Sequence, residues 1–338
     1  MSRRRDPVEE RADDAVDLYD IATWERRGLL DGVAAGIYRV LVASARLFVV
    51  GVALLILIGI GGLSAVTDPQ IGALTLLSAL PALALAIYVR RTDVTSNEPL
   101  SLLVATFLLG VLTANFAAVF NSYTKGIFAG LGFLGTALFF YLVVGPIEET
   151  VKLLAVRLYA YGTDSFEAVV DGAVYGAVAG LGFATIENAL YITQRLDAPT
   201  AATGLGLGLI GAGGGIAAVR ALAGPGHVIY SAFAGYYLGL AKFNRENRGP
   251  IVVKGLLVAA LIHATYNTTV GIGSALVGIA TGLPQLPAFL VYVLLYDGVF
   301  GLLLFRKIRR YSHTYRQVHE DEETEESAFD VEATEFES

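Results

Sequence analysis

The sequence predicts an all-α membrane protein that crosses the bilayer about eight times. Of its 338 residues 55% are hydrophobic and 16% are charged, and the mean hydropathy is +0.60. The charges gather near the two ends, and several apolar runs between them approach the roughly 20 residues that a helix needs to cross a hydrocarbon core. This composition is typical of polytopic helical membrane proteins. The chain has no cysteine, which excludes disulfides, thiolate metal sites and cysteine nucleophiles.

The first part of the chain contributes three predicted spans. Residues 1–40 are charged or mixed and form an expected cytoplasmic segment with no sign of a cleavable signal. Residues 41–125 follow as three transmembrane helices, which are separated by a turn at Asp68-Pro69 and by a polar loop from Thr92 to Pro99. The predicted spans are Leu47–Val66, Ile71–Val89 and Leu100–Phe120.

Residues 126–310 form the predicted core. The piece 126–161 is too long for one upright span, so its start is interpreted as an entry segment. Residues 204–219 are very rich in glycine, which makes a poor isolated helix, and are interpreted as a re-entrant segment buried in protein. The remaining predicted spans are Leu134–Leu158, Ala168–Ile192, Gly224–Ala241, Val252–Ile272 and Pro284–Phe305.

The C-terminal residues 311–338 contain a run of acidic side chains and are expected to be a disordered, solvated cytoplasmic tail. An acidic tail in a chain with few lysines is typical of proteins from salt-loving organisms such as halophilic archaea.

The basic clusters predict that both termini are cytoplasmic, because loops rich in lysine and arginine stay inside. These clusters are Arg3–Arg5 with Arg26-Arg27, Arg90-Arg91, Lys242–Arg248 and Arg306–Arg310. The number of spans is then even: eight if 204–219 does not cross, or ten if it crosses and 126–161 forms two short spans. The depth of each polar side chain in the membrane can be counted at 1.5 Å per residue from the cytoplasmic end of its helix. Only the eight-span arrangement places the polar side chains of the later spans at a similar depth, and we therefore prefer it.

Two carboxylates and an ammonium interrupt an apolar run just after Pro146. Each ionisable side chain at bilayer depth costs roughly 2.5–3.5 kcal/mol, so three within five residues need a reason. On a helix, Glu148 and Glu149 lie four and three residues from Lys152, so either carboxylate can reach the ammonium. This motif alone fits a structural ion pair as well as a functional site. We expect Glu148 to pair with Lys152 and to shape the fold more than the chemistry.

The later spans carry further polar side chains. The complete set is Glu148, Glu149, Lys152, Glu187, Asn188, His227, His263 and Asn267. A lone intramembrane histidine is more often a packing hydrogen bond than a ligand or a base. Two histidines and three glutamates on four helices are different, because together they offer a general base, metal ligands and neutral oxyanion donors. Asp171 and Tyr175 are interpreted as structural residues, and Arg220 is expected at the outer surface.

Four motifs containing these residues occur in the order seen in one family. They are Gly145-Pro-Ile-Glu148-Glu149-x-x-Lys152, Gly182-Phe-Ala-Thr-Ile-Glu187-Asn188, Gly226-His227-x-x-x-Ser231-x-x-x-Gly235-Tyr236 and His263-Ala-Thr-Tyr-Asn267. The chain resembles the PrsW family of intramembrane proteases, relatives of the type II CAAX prenyl endopeptidases and Abi proteins. The resemblance covers about Phe128–Gly271. The wider superfamily often has arginine and histidine where Lys152 and Glu187 stand here, which favours the PrsW branch.

The resemblance implies peptide-bond hydrolysis inside or at the edge of the membrane. Glu149 or Glu148 would activate a water as general base, and His227 and Glu187 would hold that water or a metal. His263 and Asn267 would stabilise the oxyanion, with Lys152 and Asn188 as tuning residues. Zn²⁺ is the candidate cofactor, with the candidate ligands Glu149, Glu187, His227 and His263. A metal-free glutamate mechanism uses the same residue types, and we slightly favour it.

The implied partner is a membrane protein or peptide, such as an anti-sigma-like single-pass protein, that is cut on the outer side of the cell membrane. No motif indicates nucleic-acid binding. The main alternative is a proton- or ion-coupled transporter or channel, which also buries Glu, Lys and His and uses glycine-broken helices. The chain has no sign of the inverted repeat expected there. A non-catalytic membrane chaperone is a third hypothesis, against which the complete polar set argues.

Overall fold

The computed structural model describes residues 17–19, 23–60, 62–93, 98–196 and 207–335, and for 207–214 and 319–335 it describes the backbone alone. Apart from one isolated bridge between Tyr19 and Thr23, the regular structure of this part of the chain is helical. The chain divides into a first unit that ends at Gly51 and a second that begins at Val52. The second unit contains every residue of the candidate site.

Four helices form the N-terminal part. They are α1 (Leu29–Gly59), the short α2 (Ser64–Thr67), α3 (Pro69–Arg91) and α4 (Leu100–Phe128). Asp68 starts α3, because its side chain accepts hydrogen bonds from the N–H groups of Gln70 and Ile71. Helices α3 and α4 contain the predicted second and third spans, and α4 continues to Phe128. The helix that contains the first predicted span begins at Leu29 and not at Leu47. Residues 29–46 contain no proline, so the helix can extend back through them.

The chain reverses direction after α4. A 3₁₀ turn at Ala129–Leu131 and Gly132, with φ of 55°, leads into α5 (Gly132–Phe139), a π-helical turn (Phe140–Val144) and α6 (Gly145–Leu158). This segment runs antiparallel to α4, because Phe128 packs on Phe139 near the turn and Asn121 reaches Glu148 further from it. The predicted span Leu134–Leu158 lies in this returning segment, and the expected entry segment coincides with the reversal.

The π-helical turn lies directly before the residue that requires it. Pro146 has no N–H, and its ring occupies the space in which a regular helix would place the carbonyl of the residue four positions earlier, so the backbone widens upstream of it. The widened turn ends at Val144, and α6 begins at Gly145, where an added Cβ would lie 2.7 Å from the carbonyl oxygen of Ala260. The start of α6 is thereby brought against a neighbouring helix, with Glu148 in its first turn and Glu149 directly after it.

The last four helices complete the bundle. They are α7 (Val169–Leu196), α8 (Leu207–Phe243), α9 (Arg248–Thr281) and α10 (Gln285–Glu335). Helix α7 lies at the centre of the bundle, since 89% of the residues in its most apolar stretch are buried. It packs antiparallel on α8 through glycines: a Cβ at Gly172 would meet the Gly235 carbonyl oxygen at 2.2 Å, and one at Gly180 would meet that of His227 at 2.4 Å. Only glycine permits this approach of two backbones in lipid.

The structure agrees with eight crossings. Six elements of the described chain are long and apolar enough to span a membrane. One of them, Leu100–Gly162, contains the reversal and counts twice, and α8 adds another, which gives eight. Ten crossings would need two short spans within 126–161 and a separate crossing of 204–219. Within the residues that the structure describes, 126–161 contains a single reversal near its start, and α8 is one continuous helix from Leu207 onward.

Two expectations about irregular segments are wrong. From Leu207 onward the Gly-rich stretch is no re-entrant piece but the start of α8, with one local irregularity at Gly215, where φ is 77°. The tail from residue 311 was expected to be disordered, yet the backbone of α10 is helical to Glu335. Glutamate is a good helix former, and a helix that already spans the membrane needs no new nucleus to continue.

Gly176→Ala tests the glycine contact between α7 and α8. An added Cβ would lie 2.3 Å from the carbonyl oxygen of Ser231, so the two backbones must separate. We expect a loss of about 1–3 kcal/mol or more, seen as a lower unfolding temperature in detergent. Gly271→Ala is the matched control, because that helical glycine has nothing within 4 Å. Equal effects of the two substitutions would contradict the close packing.

Candidate active site

A buried ion pair in the first turns of α6 is the centre of the site. Lys152 Nζ donates to Glu149 Oε1 at 2.6 Å, and their side chains are 1% and 0% exposed. The expected pairing of Lys152 with Glu148 is wrong. Glu148 faces α4 instead, where Asn121 Nδ2 donates to its Oε1 at 3.0 Å. The two adjacent glutamates point in different directions from the helix, so Lys152 reaches the one three residues away.

Two histidines from other helices join this pair. His263 on α9 contacts Glu149 Oε1 through Nδ1 at 2.8 Å, and His227 on α8 contacts Lys152 Nζ through Nδ1 at 3.0 Å. Their rings meet edge to face with centroids 5.1 Å apart. Glu149 Oε2 has a longer contact of 3.5 Å with the Ser231 hydroxyl. Three helices thus converge on one carboxylate and one ammonium.

The contacts assign the histidine tautomers. A carboxylate only accepts, so His263 carries its proton on Nδ1 and presents the lone pair of Nε2, which lies 3.7 Å from Glu148 Oε2. An ammonium only donates, so His227 accepts at Nδ1 and donates from Nε2 to Glu187 Oε2 at 2.9 Å. The two neutral rings therefore offer different atoms to the space between them.

Arg220 is a site residue that the sequence analysis missed. It was expected at the outer surface, but its guanidinium pairs with Glu187 and donates from Nε to Asn188 Oδ1 at 2.8 Å. Asn188 is fully buried and in turn donates to Ser78 Oγ on α3 at 3.0 Å. The missed signal was spacing, because Arg220 precedes His227 by seven residues, which is two helical turns on one face.

These side chains face a cavity of about 840 Å³. Its polar wall is formed by Glu148, Glu187, His227, His263, Arg220 and Asn267. Glu149 does not line it. Aromatic rings of Phe128, Phe139, Phe140 and Phe183 form much of the rest. The volume lies in the range of small-molecule and peptide sites, and convergent polar groups on an apolar wall are typical of active sites.

The cavity extends towards the carboxyl ends of α4 and α7. Ser122 and Lys125 on α4 and Gln194 on α7 line that part of it. Asn267 lies on α9 one turn after His263, is half-buried and lines the cavity. The structure thus brings all the predicted site residues together. Glu149 and Lys152 lie behind the polar wall of the cavity, and the others lie on that wall or next to it.

Three of these residues can hold a metal ion. One ligand atom each from Glu148, His227 and His263 lies within 4.8 Å of the others. The set differs from the expected one, because Glu149 is bound to Lys152 and Glu187 to Arg220. It fits a metal: Glu148 Oε2 is buried without a hydrogen-bond partner, and two histidines with one glutamate are a ligand set of catalytic zinc. His227 would have to release the Nε2 proton that it donates to Glu187.

The fold and the site together define a class: a multi-pass helical membrane protein with a buried carboxylate–histidine centre that opens to a cavity. The family follows from comparison. A family model described as PrsW family intramembrane metalloprotease matches residues 98–299. The chain belongs to this family, and the matched range contains every candidate site residue from Asn121 to Asn267. The preference for a metal-free mechanism is not supported by this description.

The curated relatives agree. The protease PrsW of Bacillus subtilis strain 168 is 32% identical over 192 residues, which are 55% of this chain and 78% of the relative. That of Geobacillus kaustophilus is 32% identical over 189 residues, 55% and 75% of the two chains. That of Clostridioides difficile strain 630 is 27% identical over 203 residues, 57% and 77%. No solved structure matches the chain. The chain is therefore an intramembrane peptidase, and the prediction of a protease is confirmed over the transporter.

Lys152→Met tests the pairing at the centre of the site. Removing one partner of a buried ion pair typically costs about 3–5 kcal/mol, so the unfolding temperature in detergent should fall. Glu149→Gln added to Lys152→Met should recover part of the loss, since no charge is then left unpaired. The matched control is Glu148→Gln added to Lys152→Met. If this second combination rescues stability equally well, the assignment of Glu149 as the partner is wrong.

Proposed function

We propose that this peptidase cleaves a membrane-protein substrate with a water that Glu148 places and activates. The observation that carries this proposal is the Oε2 atom of Glu148, which is buried, has no hydrogen-bond partner and belongs to a residue on the cavity wall. Asn121 holds the other oxygen, so Oε2 is left to accept from a water. Glu149 is the weaker candidate for the base, because its oxygens contact Lys152, His263 and Ser231 and it lies off the cavity.

The neighbouring side chains supply orientation and an oxyanion donor. Glu149 fixes His263 in the tautomer whose Nε2 lone pair faces Glu148. In that tautomer His263 cannot donate to an oxyanion, and we therefore assign the donor role to the amide of Asn267 on the cavity wall. Glu187 and Arg220 complete the polar wall, and the surrounding phenylalanines exclude bulk water.

Glu148, His227 and His263 are also the residues that would hold Zn²⁺. A bound zinc ion supplies Lewis-acid polarisation of the scissile carbonyl and makes a nucleophile of water at neutral pH. With the ion bound, Glu148 is a ligand, and Glu187 is the remaining carboxylate on the cavity wall to accept a proton. Glu187 suits this role, because its side chain is 21% exposed, compared with 6% for Glu148 and 0% for Glu149.

The substrate is proposed to be a single-pass membrane protein cut near the outer boundary of the membrane. The cavity reaches the carboxyl ends of α4 and α7, which the positive-inside rule assigns to the outside. Both termini and the basic loop between α8 and α9 would then be cytoplasmic. Lys125 adds a positive charge to this part of the cavity, which favours a substrate segment with an acidic or carbonyl-rich boundary.

Glu148→Gln should lower the cleavage rate of a single-pass substrate by about 10²–10⁴, the usual share of general acid–base catalysis. Its unfolding temperature should not fall, because Glu148 holds no ion-pair partner. Glu149→Gln should lower both rate and unfolding temperature, since Lys152 loses its partner. The measurement is cleavage by purified protein in detergent alongside thermal unfolding. Full activity of Glu148→Gln would overturn its role.

Metal analysis of the same variants separates the two forms of the mechanism. If zinc takes part, Glu148→Gln should lose bound zinc, whereas Glu187→Gln should retain zinc and lose activity. If no zinc takes part, chelators should leave cleavage by the wild type unchanged, and Glu148→Gln should still abolish it.

Cysteine labelling tests the topology on the natural cysteine-free background. Tyr123→Cys, near the cavity end of α4, should react with an impermeant reagent added outside intact cells, because Tyr123 is 84% exposed. Glu246→Cys, in the exposed loop between α8 and α9, should react only after the cells are broken. The reverse pattern would place the cavity mouth in the cytoplasm.

A further inference from the structure

A second cluster of carboxylates lies at the opposite end of α7 from the active site. It consists of Asp93 after α3, Glu98 before α4 and Asp171 in the first turn of α7. One oxygen of each lies within 4.8 Å of the others. Asp171 precedes Glu187 by sixteen residues, so the cluster is about 24 Å from the site along the helix at 1.5 Å per residue. The proposed mechanism uses none of these residues.

The cluster is buried and electrostatically crowded. Glu98 and Asp171 are 5% and 1% exposed. Arg90 forms the nearest ion pair, through Nε to Glu98 Oε2 at 3.6 Å. Burial, followed by the neighbouring carboxyl of Asp93, raises the pKa of Glu98 to about 8. Three acids held this close together, two of them buried and Asp93 half-buried, need a proton or a cation in addition to Arg90.

Two unsatisfied polar atoms point to a ligand. Glu98 Oε1 is buried and has no hydrogen-bond partner. The hydroxyl of Tyr175, on a residue with 0% exposure one turn after Asp171, also has none, and it lies close enough to feel the charges of all three acids. Buried hydroxyls and carboxylate oxygens are rarely left unpaired, since each costs about 1–3 kcal/mol. The lone pairs of Glu98 Oε1 and of the Tyr175 hydroxyl are therefore available to a ligand, such as a cation, bound within the cluster.

We propose that Asp93, Glu98 and Asp171 bind a hard divalent cation, Mg²⁺ or Ca²⁺. All-oxygen carboxylate sites suit these ions, and ligands at 2.3–2.6 Å from Ca²⁺ can be at most about 5 Å apart, which the cluster already satisfies. Asp171 is pre-positioned, because its Oδ2 accepts from the N–H groups of Glu167 and Ala168. The ion would join the end of α3, the start of α4 and the start of α7, the helix that carries Glu187.

Terbium luminescence tests this proposal without any enzymatic readout. Tb³⁺ replaces Ca²⁺ at oxygen sites and emits when a nearby tyrosine is excited. Titration of the purified full chain in detergent should give saturable emission that Ca²⁺ or Mg²⁺ displaces, and the order of displacement distinguishes the two ions. Glu98→Gln and Asp171→Asn should each weaken Tb³⁺ binding about tenfold or more, since carboxylate number sets the affinity of such sites. Glu167→Gln is the matched control, because Glu167 is an exposed acid four residues before Asp171.

Thermal unfolding gives the second measurement. Ca²⁺ or Mg²⁺ at constant ionic strength should raise the unfolding temperature of the wild type and not that of the Glu98→Gln, Asp171→Asn double variant. Tyr175→Phe should dim the terbium emission and keep the thermal response. Binding that Glu98→Gln leaves unchanged would assign the terbium to another acidic region and overturn the proposal.

A shared proton is the competing explanation, and it has an opposite signature. Because the folded-state pKa of Glu98 is raised, protonation stabilises the fold, and that stability is lost as the pH rises through about 8. Stabilisation by acid with no response of the wild type to either cation would therefore also overturn the proposal. This wild-type comparison stands even if the variants do not fold.

Discussion

The buried pair of Glu149 and Lys152 is the interaction on which the site depends. Neither side chain reaches water, so each charge is stabilised only by the other and by the groups around them. Both histidines complete that environment, His263 by donating to the carboxylate and His227 by accepting from the ammonium. The pair therefore does more than neutralise itself. It selects one tautomer in each ring and so determines which nitrogen each histidine presents to the cavity.

The backbone contact between α7 and α8 provides the rigidity that this arrangement needs. Glu187 and Arg220 come from these two helices and contact each other across the glycine interface. Without a Cβ at Gly180, the α7 backbone approaches the carbonyl of His227 itself. A hydrogen bond of 2.9 Å between His227 and Glu187 tolerates little movement, so helix packing and site geometry are a single constraint.

The sequence predicted the architecture because the bilayer imposes it. Hydrophobic length and basic clusters lead to eight crossings, and the requirement that buried polar residues share one depth brings Glu149, Glu187, His227 and His263 together. That argument works because a lone charge in lipid is costly, whereas charged side chains that pair with one another in a cluster cost less. It could not decide which glutamate pairs with Lys152, because spacings of three and four residues are both feasible. Only the direction in which α6 faces its neighbours separates them.

The errors have a common origin in local composition. Glycine content suggested a broken segment at 204–219 and acidity suggested a disordered tail, but both stretches have helical backbone in the part of the chain that the structure describes. Local propensity is a weak guide where a long helix is already held by packing. Arg220 was also misplaced, because the prediction did not take account of the helix face that it shares with His227.

The two carboxylate clusters on α7 suggest how the helix serves both stability and chemistry. Its amino end carries Asp171 among acids and its other half carries Glu187 among cations and histidines. A helix that is nearly all buried has little room to bend, because its neighbours are closely packed around it. A ligand that neutralises the acidic end would hold α7 in register with α3 and α4. Helix α3 also supplies Ser78, which accepts a hydrogen bond from Asn188 and so holds it beside Arg220. The acidic cluster and the active site therefore have two helices in common, α3 and α7.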